Sequence, residues 1–464
     1  MNAVLAALRR WPDGSPALAW PGGGMSYGEL RARVDALAHA AAGLGAPDTP
    51  LAVVSASRLK IALGVLAALR LGRPALPLDA ARPDVAACLA AVGPGGALAD
   101  AGVPLPPALP RAEFRSATMG SHAAELPGGL PAVGGDPAGA ALLVPTSGTS
   151  GPAQVAMLSA RAMDAHVAAS AQVLPPLDPG ARWLVCLPMN SIGALAALWR
   201  TLSAGACLAL LERFDPEDAR RLMAEGASHV SVVPAMLQPL AQCRAPAPRG
   251  LRCLFSGGGP LPAQAAGLAL AQGWPLWTGW GMTETASHLA AGPVDAGWRE
   301  GIVGRPLPGV ELEIEPASGR LVVAGPMLMS GYARPGLQPG AGLEPGGRFL
   351  SGDLGEFLAD GRLSVPGRAD DVIVTGGVNV RPQAVEAVLG ACPGAGEVAV
   401  TARPDARWGR VLVALYTGEA SAATLDAWAR ERLPSASRPR EFRRVAALPR
   451  NAMGKLLRSA LSLE

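Results

Sequence analysis

A loop of small residues in the first third of the chain could bind phosphate. It reads TSGTSGPAQV, from Thr146 to Val155, and it follows the apolar run ALLV. Glycines in such a loop let backbone N–H groups turn toward one anion, and the hydroxyl groups add further donors. The loop lacks the lysine that ends the glycine-rich loop of the common nucleotide hydrolases. A polyphosphate site is one interpretation, and a flexible Gly/Ser linker is the other.

A second stretch, WTGWGMTETASH from Trp277 to His288, combines aromatic rings, hydroxyl groups and a carboxylate. Thr283 could donate to a phosphate oxygen, Glu284 could bind Mg²⁺, and a tryptophan ring could stack on a base. The alternative is a helix N-terminus at which the threonine is the cap. Taken alone, the stretch is compatible with both.

Three further stretches place a charged residue beside glycine. In FLSGDLGEF, Asp353 lies in a predicted glycine turn. One interpretation is a ligand of ribose hydroxyls, and the other is an ordinary turn aspartate. In GRADDVIVTGGVNVRP, Arg368 precedes a glycine-hinged strand, or the segment is a solvated linker between domains. In LPRNAMGKLLRSAL, Lys455 follows Gly454 at the predicted start of a helix, or it is a surface charge.

The composition favours an α/β enzyme of several domains. The chain has 464 residues, half of them hydrophobic, with 58 glycines and 45 prolines, so we expect two or more domains. A net charge of only +3 and the lack of a dense Lys/Arg block argue against a nucleic-acid partner. Neither metal-ligand nor disulfide-scaffold spacing appears among the cysteines and histidines, so we expect structural roles for them. These residues are Cys88, Cys186, Cys207, Cys243, Cys253, Cys392, His39, His122, His166, His229 and His288.

The sequence shows neither a secretory signal nor a membrane span. At the N-terminus, MNAVLAALRRWPDG places its arginines after a short apolar run, which reverses the order of a secretory signal. The longest apolar candidate, Ile61 to Leu69, is shorter than the roughly 18 residues that a membrane span requires. We therefore expect a soluble cytoplasmic protein.

Helical periods alternate with short β-branched runs through most of the chain, which predicts βαβ units and mainly parallel sheets. Tyr27 to Leu44 is a predicted helix, LAVVSA from Leu51 a buried strand, and Leu59 to Arg70 the following helix. A second α/β run extends from Arg182 to about Gln272. The predicted fold class is therefore α/β, with wound α/β subdomains.

The last third of the chain has a different pattern. Short alternating strands from Gly301 to Asp360 predict a β-rich subdomain. A small α+β unit follows, with strands at VIVTG, EVAVTA and VLVALY and a last helix near Gly454. We place the boundary at Asp370, between an N-terminal domain of residues 1–369 and a mobile C-terminal domain of residues 370–464.

In this order and spacing, the five stretches resemble the adenylate-forming (AMP-binding) superfamily of acyl-CoA synthetases, peptide-synthetase adenylation domains and luciferases. The resemblance extends over nearly the whole chain, including LRLGRPALPLD (69–79), GIVGRPLPGVELEI (301–314) and GPMLMSGY (325–332). Within the superfamily, the chain is most similar to 2-succinylbenzoate–CoA ligases, through residues 214–240, 251–262 and 376–382.

The resemblance implies ATP and coenzyme A as co-substrates and Mg²⁺ as the cofactor. The β- and γ-phosphates of ATP would be held by Thr146, Ser147, Gly148, Thr149, Ser150 and Gly151. The three implied catalytic residues are Thr283 at the α-phosphate, Glu284 at Mg²⁺, and Lys455 at the acyl-phosphate oxygens.

The same resemblance implies the remaining site residues. Trp280 stands where the family usually has a tyrosine beside the adenine, with Gly281 next to it. The adenine and acyl pockets would be lined by Gly257, Gly258 and Gly259. The ribose would be fixed by Asp353 and Arg368. Asp370 would be the hinge, and Gly376 and Gly377 would belong to a loop on the coenzyme A side.

The implied reaction has two steps. The carboxylate attacks the α-phosphorus of ATP, pyrophosphate leaves, and Mg²⁺ with the Lys455 ammonium offsets the developing charge. Coenzyme A then attacks the acyl carbon, an approach that Lys455 would obstruct if it stayed in place. A domain rotation about Asp370 would remove Lys455 and bring the loop from Thr375 to Asn379 toward the thiol.

The chain departs from the family pattern at several further places, among them Ala384, where the family commonly has a glutamate, so that Glu386 stands alone. The family loop continues with Pro-Lys-Gly, where this chain has Ala153, Gln154 and Val155, so the loop lysine is missing. The aromatic and histidine of the family's LPLFH segment are replaced by Asn190 and Ser191 in LPMNSIG, which predicts an altered acyl pocket.

Three functions stay open at this point. The first is a CoA ligase for 2-succinylbenzoate or another aryl or medium-size carboxylate. The second is an enzyme that adenylates an acid and loads it onto the phosphopantetheine of a carrier protein. The third is a catalytically impaired nucleotide- or acyl-binding protein, which the missing loop lysine suggests. The sequence also leaves open a monomer or a homodimer.

Overall fold

The computed structural model describes residues 3–114, 139–146, 154–242, 246–334, 336–451 and 454–461. The α-helices within these ranges are α1 (Ala3–Arg10), α2 (Tyr27–Ala41), α3 (Arg58–Arg70), α4 (Val85–Val92), α5 (Ala160–Ala171), α6 (Ile192–Ser203), α7 (Pro216–Ala224), α8 (Pro234–Gln242), α9 (Ala263–Ala271), α10 (Pro382–Gly390) and α11 (Ala422–Arg432). Short 3-10 helices cover Thr283–Thr285, Ala369–Asp371, Ser435–Ser437 and Arg458–Ala460.

The strands in the first half of the chain are β1 (Pro16–Trp20), β2 (Gly23–Ser26), β3 (Leu51–Ser55), β4 (Ala75–Asp79), β5 (Gly96–Ala99), β6 (Arg111–Glu113), β7 (Ala140–Pro145), β8 (Val155–Ser159), β9 (Arg182–Val185), β10 (Cys207–Leu210) and β11 (His229–Val232). Those in the second half are β12 (Cys253–Ser256), β13 (Leu276–Met282), β14 (Ser287–Pro293), β15 (Ile302–Pro306), β16 (Glu311–Ile314), β17 (Arg320–Ala324), β18 (Gly331–Tyr332), β19 (Phe349–Phe357), β20 (Leu363–Arg368), β21 (Ile373–Thr375), β22 (Val378–Val380), β23 (Val398–Asp405), β24 (Gly409–Tyr416) and β25 (Glu441–Arg444).

Two large sheets form the N-terminal region. The first has the order β18-β8-β7-β4-β3-β5-β6, with parallel pairing from β7 to β6. The second has the order β16-β17-β19-β20-β15-β14-β13-β12-β11-β9-β10-β1-β2, and its strands β13, β12, β11, β9, β10 and β1 are parallel. The predicted wound α/β layers are confirmed. The β-rich region also exists, but it extends the second sheet as antiparallel strands.

Helix α6 lies deep in the largest core cluster and packs on β9 and β10. Every residue from Ala194 to Leu202 is buried, so this helix has no solvent-facing polar side. Such a pattern is typical of a helix enclosed by other elements. The charged exception in this run is Arg200, which is described with the site below.

The C-terminal region has a hydrophobic core of its own. Strands β23, β24 and β25 form one sheet, β21 and β22 form a hairpin, and α10 packs on α11. The core cluster runs from Ile373 to Leu433 and includes Val385, Leu412 and Leu425. This agrees with the predicted small α+β unit, while the boundary at Asp370 stays a prediction.

Two local predictions differ from the structure. The first α/β helix ends at Ala41 and not at Leu44. The predicted α-helix at Gly454 is wrong, because the described residues 454–461 contain only the 3-10 turn Arg458–Ala460. No helix in the described ranges is both long enough and apolar enough to cross a membrane.

Candidate active site

The phosphate loop connects two antiparallel strands. Strand β7 ends at Pro145 opposite Val155, the first residue of β8. The Thr146 N–H donates to the Gln154 carbonyl over 2.8 Å, which closes the base of the connection, and Gln154 is exposed. The predicted phosphate ligands Ser147, Gly148, Thr149, Ser150 and Gly151 lie outside the described residues, so only the two ends of the loop are placed.

Thr283 and Glu284 lie in a 3-10 turn between β13 and β14, and not at a helix N-terminus. The Thr285 hydroxyl donates to the Met282 and Ser287 carbonyls over 3.0 and 2.8 Å and accepts from the Met282 N–H. The residue after the turn, Ala286, has a φ of +55°, which is uncommon for a residue with a side chain. The 3-10 turn that carries Thr283 and Glu284 is therefore held by its own hydrogen bonds.

Glu284 is fixed by a tyrosine that the sequence analysis did not identify. The Tyr332 hydroxyl donates to Glu284 Oε1 over 2.6 Å, and both side chains are buried. Burial raises the pKa of Tyr332, with the Glu284 charge as the next cause, so the hydroxyl stays protonated and acts as the donor. The backbone adds a second tie, because the Met329 N–H donates to the Glu284 carbonyl over 2.8 Å. The Tyr332 hydroxyl contacts Oε1 of Glu284, so it does not engage the other carboxylate oxygen, Oε2.

Asp353 and Arg368 are direct partners across two strands. They are register partners on β19 and β20, and Arg368 Nη1 lies 3.5 Å from Asp353 Oδ1. The predicted glycine turn at Asp353 is wrong, because the residue lies within the nine-residue strand β19. A Cβ atom on Gly352 would overlap the Arg368 guanidinium, so a side chain there would displace the end of this arginine from Asp353.

Trp280 also holds Asp353. Its indole Nε1 donates to Asp353 Oδ2 over 2.8 Å, and the ring is buried. Trp280 and Gly281 sit at a register shift between β13 and β14. Gly281 has no room for a side chain, because a Cβ atom would overlap the Ser287 carbonyl. Both predicted adenine-side residues therefore belong to the same strand end as the Thr283–Glu284 turn.

The glycine run from Gly257 to Gly259 follows β12, whose neighbour in the sheet is β13. Gly258 has a φ of +80°, in the left-handed region that glycine accepts without strain. Nothing lies within 4 Å of a Cβ atom built on Gly259, so this residue faces open space. The carboxyl ends of β12 and β13 therefore share an open face, where ligands of open α/β sheets usually bind.

Lys455 is presented by a tight turn and not by a helix. The Asn451 side chain accepts from the Lys455 N–H over 3.0 Å, and the Asn451 N–H donates to the Lys455 carbonyl over 2.9 Å. Arg450 donates to the Gly454 carbonyl over 2.6 Å and forms a β-bridge with Leu456. Gly454 has a φ of +71°, so the turn depends on a glycine at this position.

The Lys455 side chain is half-buried among the predicted site residues. Burial lowers its pKa, the Arg368 charge lowers it further, and the carboxylates of Asp353, Asp371 and Glu284 act in the opposite direction. The structure thus brings Lys455 together with predicted site residues from two other parts of the sequence, Glu284 and the Asp353–Arg368 pair. The alternative interpretation, in which Lys455 is a surface charge, is therefore wrong.

An ion-pair cluster behind Lys455 was also missed by the sequence analysis. Arg458 donates to both carboxylate oxygens of Glu386 over 2.8 Å, and its Nε lies 3.1 Å from Asp371 Oδ2. Gln383 donates to the same Asp371 oxygen over 2.8 Å, and Glu386 accepts from the Val400 N–H over 2.7 Å. The cluster links the segment that carries Lys455 to helix α10 and to the 3-10 turn after Arg368.

The predicted hinge residue and the predicted coenzyme A loop are both exposed, and they lie on different elements. Asp370 is exposed, in the 3-10 turn Ala369–Asp371, and it forms an ion pair of 3.2 Å with Arg368. Gly376 and Gly377 form the tip of the β21–β22 hairpin with φ values of +56° and +79°. Both glycines are exposed.

Of the two predicted acyl-pocket residues, Asn190 is buried and Ser191 caps helix α6 by accepting from the Ala194 N–H over 3.4 Å. Two turns further along this helix, Arg200 is buried, and its Nε and Nη2 atoms have no hydrogen-bond partner among the described residues. Burial lowers the pKa of Arg200 to about 10. An arginine without an acid partner is costly in a protein interior, so this one suggests an anionic ligand.

The surroundings of Arg200 reach toward the glycine run. The Arg200 charge acts on the rings of His166 and His288, which lie edge to face at 4.7 Å. The His288 ring contacts Phe255 at 4.8 Å, and Phe255 immediately precedes Ser256 and the glycines after β12. Burial keeps both histidines neutral by lowering their pKa values well below the usual range. The polar cluster therefore extends to Phe255 on β12, two residues before the glycine run.

The donor set fits magnesium bound together with a nucleotide. The described residues contain no group of three or more His, Cys, Asp or Glu side chains that could hold a metal ion alone. Magnesium is commonly bound by one or two carboxylates plus substrate phosphates and water. Glu284, with one oxygen held by Tyr332, is suited to such a role.

Comparisons with known proteins agree with this geometry. The family model for AMP-binding enzymes matches residues 5–333, and that for the AMP-binding enzyme C-terminal domain matches residues 384–455. The 2-succinylbenzoate–CoA ligase of Lactococcus lactis subsp. lactis is 32% identical over 328 residues, covering 69% of this chain and 70% of that protein.

Two solved structures from Bacillus subtilis are similar over nearly the full length. The o-succinylbenzoate CoA synthetase in complex with its acyl-adenylate intermediate has a TM-score of 0.87 and 27% identity, covering 99% of this chain and 97% of that one. The same synthetase with ATP and magnesium has a TM-score of 0.87 and 26% identity, with 99% of each chain covered. Because the family model spans more than half of the chain and a relative above 30% identity is matched over 70% of its length, this chain belongs to the AMP-binding enzyme family.

Proposed function

We propose that this protein is an ATP-dependent carboxylate–CoA ligase. It is an AMP-forming acid–thiol ligase that forms an acyl-adenylate with release of pyrophosphate and then transfers the acyl group to coenzyme A. The observation that carries the proposal is the meeting of Lys455, from the small C-terminal region, with the charges of Glu284, Asp353 and Arg368. The similar Bacillus subtilis synthetase binds ATP and magnesium, which supports the same co-substrate and metal here.

Lys455 is the proposed electrostatic catalyst of adenylation. Negative charge develops on the α-phosphoryl oxygens during carboxylate attack, and a positioned ammonium in a half-buried site stabilises it. The described residues include no ion-pair partner for this ammonium, so it is available to the phosphate. Thr283 would donate to the α-phosphate, and Glu284 would hold Mg²⁺. When bound, Mg²⁺ supplies charge neutralisation at the phosphates.

Asp353 and Arg368 are the proposed ribose ligands. Carboxylate oxygens accept hydrogen bonds from ribose hydroxyls, and here both oxygens of Asp353 are already oriented by Trp280 and Arg368. The Trp280 ring would border the adenine, with Gly257, Gly258, Gly259 and Gly281 leaving space for it. Fixing the nucleotide in this way places the α-phosphorus near the Lys455 ammonium, and such positioning lowers the barrier to attack.

The thiol step requires Lys455 to leave the site. We place the hinge at Asp370, between the N-terminal domain of residues 1–369 and the C-terminal domain of residues 370–464. Its exposed side chain forms one ion pair among the described residues, with Arg368. The hairpin tip with Gly376 and Gly377 would then turn toward the acyl-adenylate.

The substrate proposed from the site is an aryl carboxylate that carries a second anionic group. The relatives are named for 2-succinylbenzoate, which has two carboxylates. In this chain, the buried Arg200 would pair with the distal carboxylate, which would end the cost of its missing partner. Asn190 would contribute to the same acyl pocket, while Ser191 acts mainly as the cap of α6.

Pyrophosphate release across a panel of acids tests this proposal. The panel contains 2-succinylbenzoate, its mono-methyl ester at the distal carboxylate, plain aryl acids and fatty acids. We expect the free dicarboxylate to be preferred, and Arg200→Gln to lower kcat/KM for it by about 10-fold or more. The ester should lose much less in the same variant. Arg182→Gln, which removes a part-exposed arginine from the start of β9, is the control.

The identity of the thioester product shows which thiol accepts the acyl group. Wild-type enzyme with ATP and acid is offered either coenzyme A or a phosphopantetheinylated carrier protein, and the thioester is identified by mass. Thioester on coenzyme A supports the ligase, and thioester on the carrier alone would support the carrier-loading alternative. A cytoplasmic location, the absence of a nucleic-acid partner and a monomeric or homodimeric state remain parts of the proposal.

A further inference from the structure

The buried Arg200 guanidinium keeps its charge without an acid partner in the described part of the chain. Burial lowers its pKa only to about 10, so it is protonated at neutral pH. The groups that act on it electrostatically are the Cys253 thiol and the rings of His166, His229 and His288. Burial raises the pKa of the thiol and lowers the pKa of each histidine, so all four are neutral. The charge of Arg200 is therefore not balanced by an ion pair with any of them.

The face of the Trp183 indole is the contact that the guanidinium does make. Arg200 Cζ lies 4.9 Å from a centroid of this ring, and Trp183 is as fully buried as the core around it. A cation over an indole face is attracted by the negative face of the ring, most strongly where water is excluded from both groups. Trp183 lies on β9, and helix α6, which carries Arg200, packs on that strand. The contact therefore joins the helix to the sheet.

The Trp183 ring is itself fixed by two neighbours on β11. Its indole Nε1 donates to the Ser231 hydroxyl over 2.8 Å. The ring of His229, which is the register partner of Trp183, stacks on it with centroids 4.8 Å apart and planes 21° apart. His229 is held in turn, because its Nε2–H donates to the Pro175 carbonyl over 3.0 Å. Trp183 thus presents a rigid aromatic surface to Arg200.

An aromatic face orients the guanidinium and leaves its donors available. An acid partner would occupy those N–H groups, and a substrate carboxylate would have to displace it. Arg200 Nε and Nη2 have no hydrogen-bond partner among the described residues. A side chain that is already oriented before the ligand arrives spares the ligand the entropic cost of ordering it. The arrangement is therefore suited to a carboxylate that binds and leaves in every catalytic cycle.

We propose that Trp183 is a positioning residue for substrate recognition, whose indole face holds the Arg200 guanidinium oriented for the distal carboxylate of a dicarboxylate substrate. Trp183 acts through Arg200, so it contributes to the choice of acid and not to the chemistry at the α-phosphorus. The proposal rests on the proposed function, since it needs Arg200 to bind the acyl substrate. It assigns a role in specificity to a tryptophan whose strand pattern indicates only core packing.

The test measures kcat and KM separately for 2-succinylbenzoate and for its mono-methyl ester at the distal carboxylate, by pyrophosphate release. In Trp183→Leu, the loss of an oriented guanidinium should raise KM for the free dicarboxylate about 2- to 10-fold. The kcat should stay near the wild-type value, because a contact at the distal carboxylate is the same in the ground state and the transition state. KM for the ester should change far less. Trp183→Phe keeps a weaker aromatic face, so its KM for the dicarboxylate should rise only about 2-fold.

Trp199 provides the matched control. It immediately precedes Arg200 on helix α6 and is equally buried, and its indole Nε1 donates to Asp164 over 2.6 Å. Trp199→Leu therefore removes a buried, hydrogen-bonded indole from the same helix without removing the ring that faces Arg200. We expect this variant to lose stability in thermal unfolding and to keep the wild-type ratio of KM values for the dicarboxylate and the ester.

Equal rises in KM for the dicarboxylate and the ester in Trp183→Leu, or a fall in kcat for both, would overturn the proposal and assign Trp183 to core packing. An unchanged KM for the dicarboxylate would overturn it as well. If Trp183→Leu does not fold, Trp183→Phe decides by the same two criteria. Arg200→Gln separates this inference from the proposed function. Equal losses with both acids in that variant mean that Arg200 does not recognise the distal carboxylate, whereas discrimination lost in Arg200→Gln and kept in both Trp183 variants refutes the positioning role alone.

Discussion

Replacing Tyr332 by phenylalanine removes one hydroxyl from the site and leaves the ring in place. That hydroxyl donates to Glu284 Oε1 over 2.6 Å, and both groups are buried, so water cannot readily replace it. A hydrogen bond to a charged group contributes about 1.5–3 kcal/mol. If Glu284 must be held in one orientation to bind Mg²⁺ with ATP, this loss corresponds to about a 10- to 100-fold fall in adenylation kcat/KM.

The assay for Tyr332→Phe is carboxylate-dependent ATP–pyrophosphate exchange, measured across a range of Mg²⁺ concentrations. We expect the defect to shrink as Mg²⁺ is raised, because excess metal compensates for a poorly oriented ligand. Tyr27→Phe is the matched control, since its buried hydroxyl donates to the Leu202 and Ala206 carbonyls far from Glu284 in sequence. The Tyr27→Phe control should lose stability and keep its exchange activity. If Tyr332→Phe likewise loses only stability, a role for the Tyr332 hydroxyl in the site is refuted.

Three further predictions concern charge. The pKa of Lys455 is lowered mainly by burial, so pyrophosphate exchange should decline with rising pH below the ordinary lysine range, and Lys455→Arg should move this decline to higher pH in whatever activity it retains. The pKa of the buried His229 is lowered to about 4, so its contribution to stability is present above pH 6.5 and is lost as the pH falls. The free energy of unfolding should drop by about 2 kcal/mol between pH 8 and pH 5 from this residue, and urea unfolding of His229→Gln should show a smaller drop. Gln154 is exposed at the end of the phosphate loop, so Gln154→Lys should raise kcat/KM for ATP by up to about 5-fold, and unchanged kinetics would show that the missing lysine has no consequence.

The sequence predicts the wound α/β layers because helical and strand periods alternate regularly from Tyr27 onward. It also identifies Glu284, Arg368 and Lys455, since each stands beside glycines or hydroxyl residues in a recurring motif. It does not predict how Lys455 is presented. The Asn451 side chain replaces the first hydrogen bond of the expected helix, and this competition depends on atoms that a periodic pattern does not contain.

Residues that act through long-range contacts are the ones that the sequence does not reveal. Tyr332 lies 48 residues from Glu284, and Arg458 lies 72 residues from Glu386. Arg200 sits in an apolar helix whose pattern indicates only core packing. Asp353 was placed in a turn because glycines flank it, whereas in the strand Gly352 lies against the Arg368 guanidinium and Gly355 lies against the Leu321 side chain. In each case the deciding contact comes from a distant element.

The most direct measurement separates the two half-reactions in Lys455→Ala. Removing the ammonium should lower carboxylate-dependent ATP–pyrophosphate exchange by about 100- to 1,000-fold, the usual effect of deleting one group that stabilises transition-state charge. Thioester formation from a supplied acyl-adenylate and coenzyme A should stay within a few-fold of wild type, because the proposed domain rotation removes Lys455 from the site before that step. Equal losses in both half-reactions would contradict a lysine that serves adenylation alone.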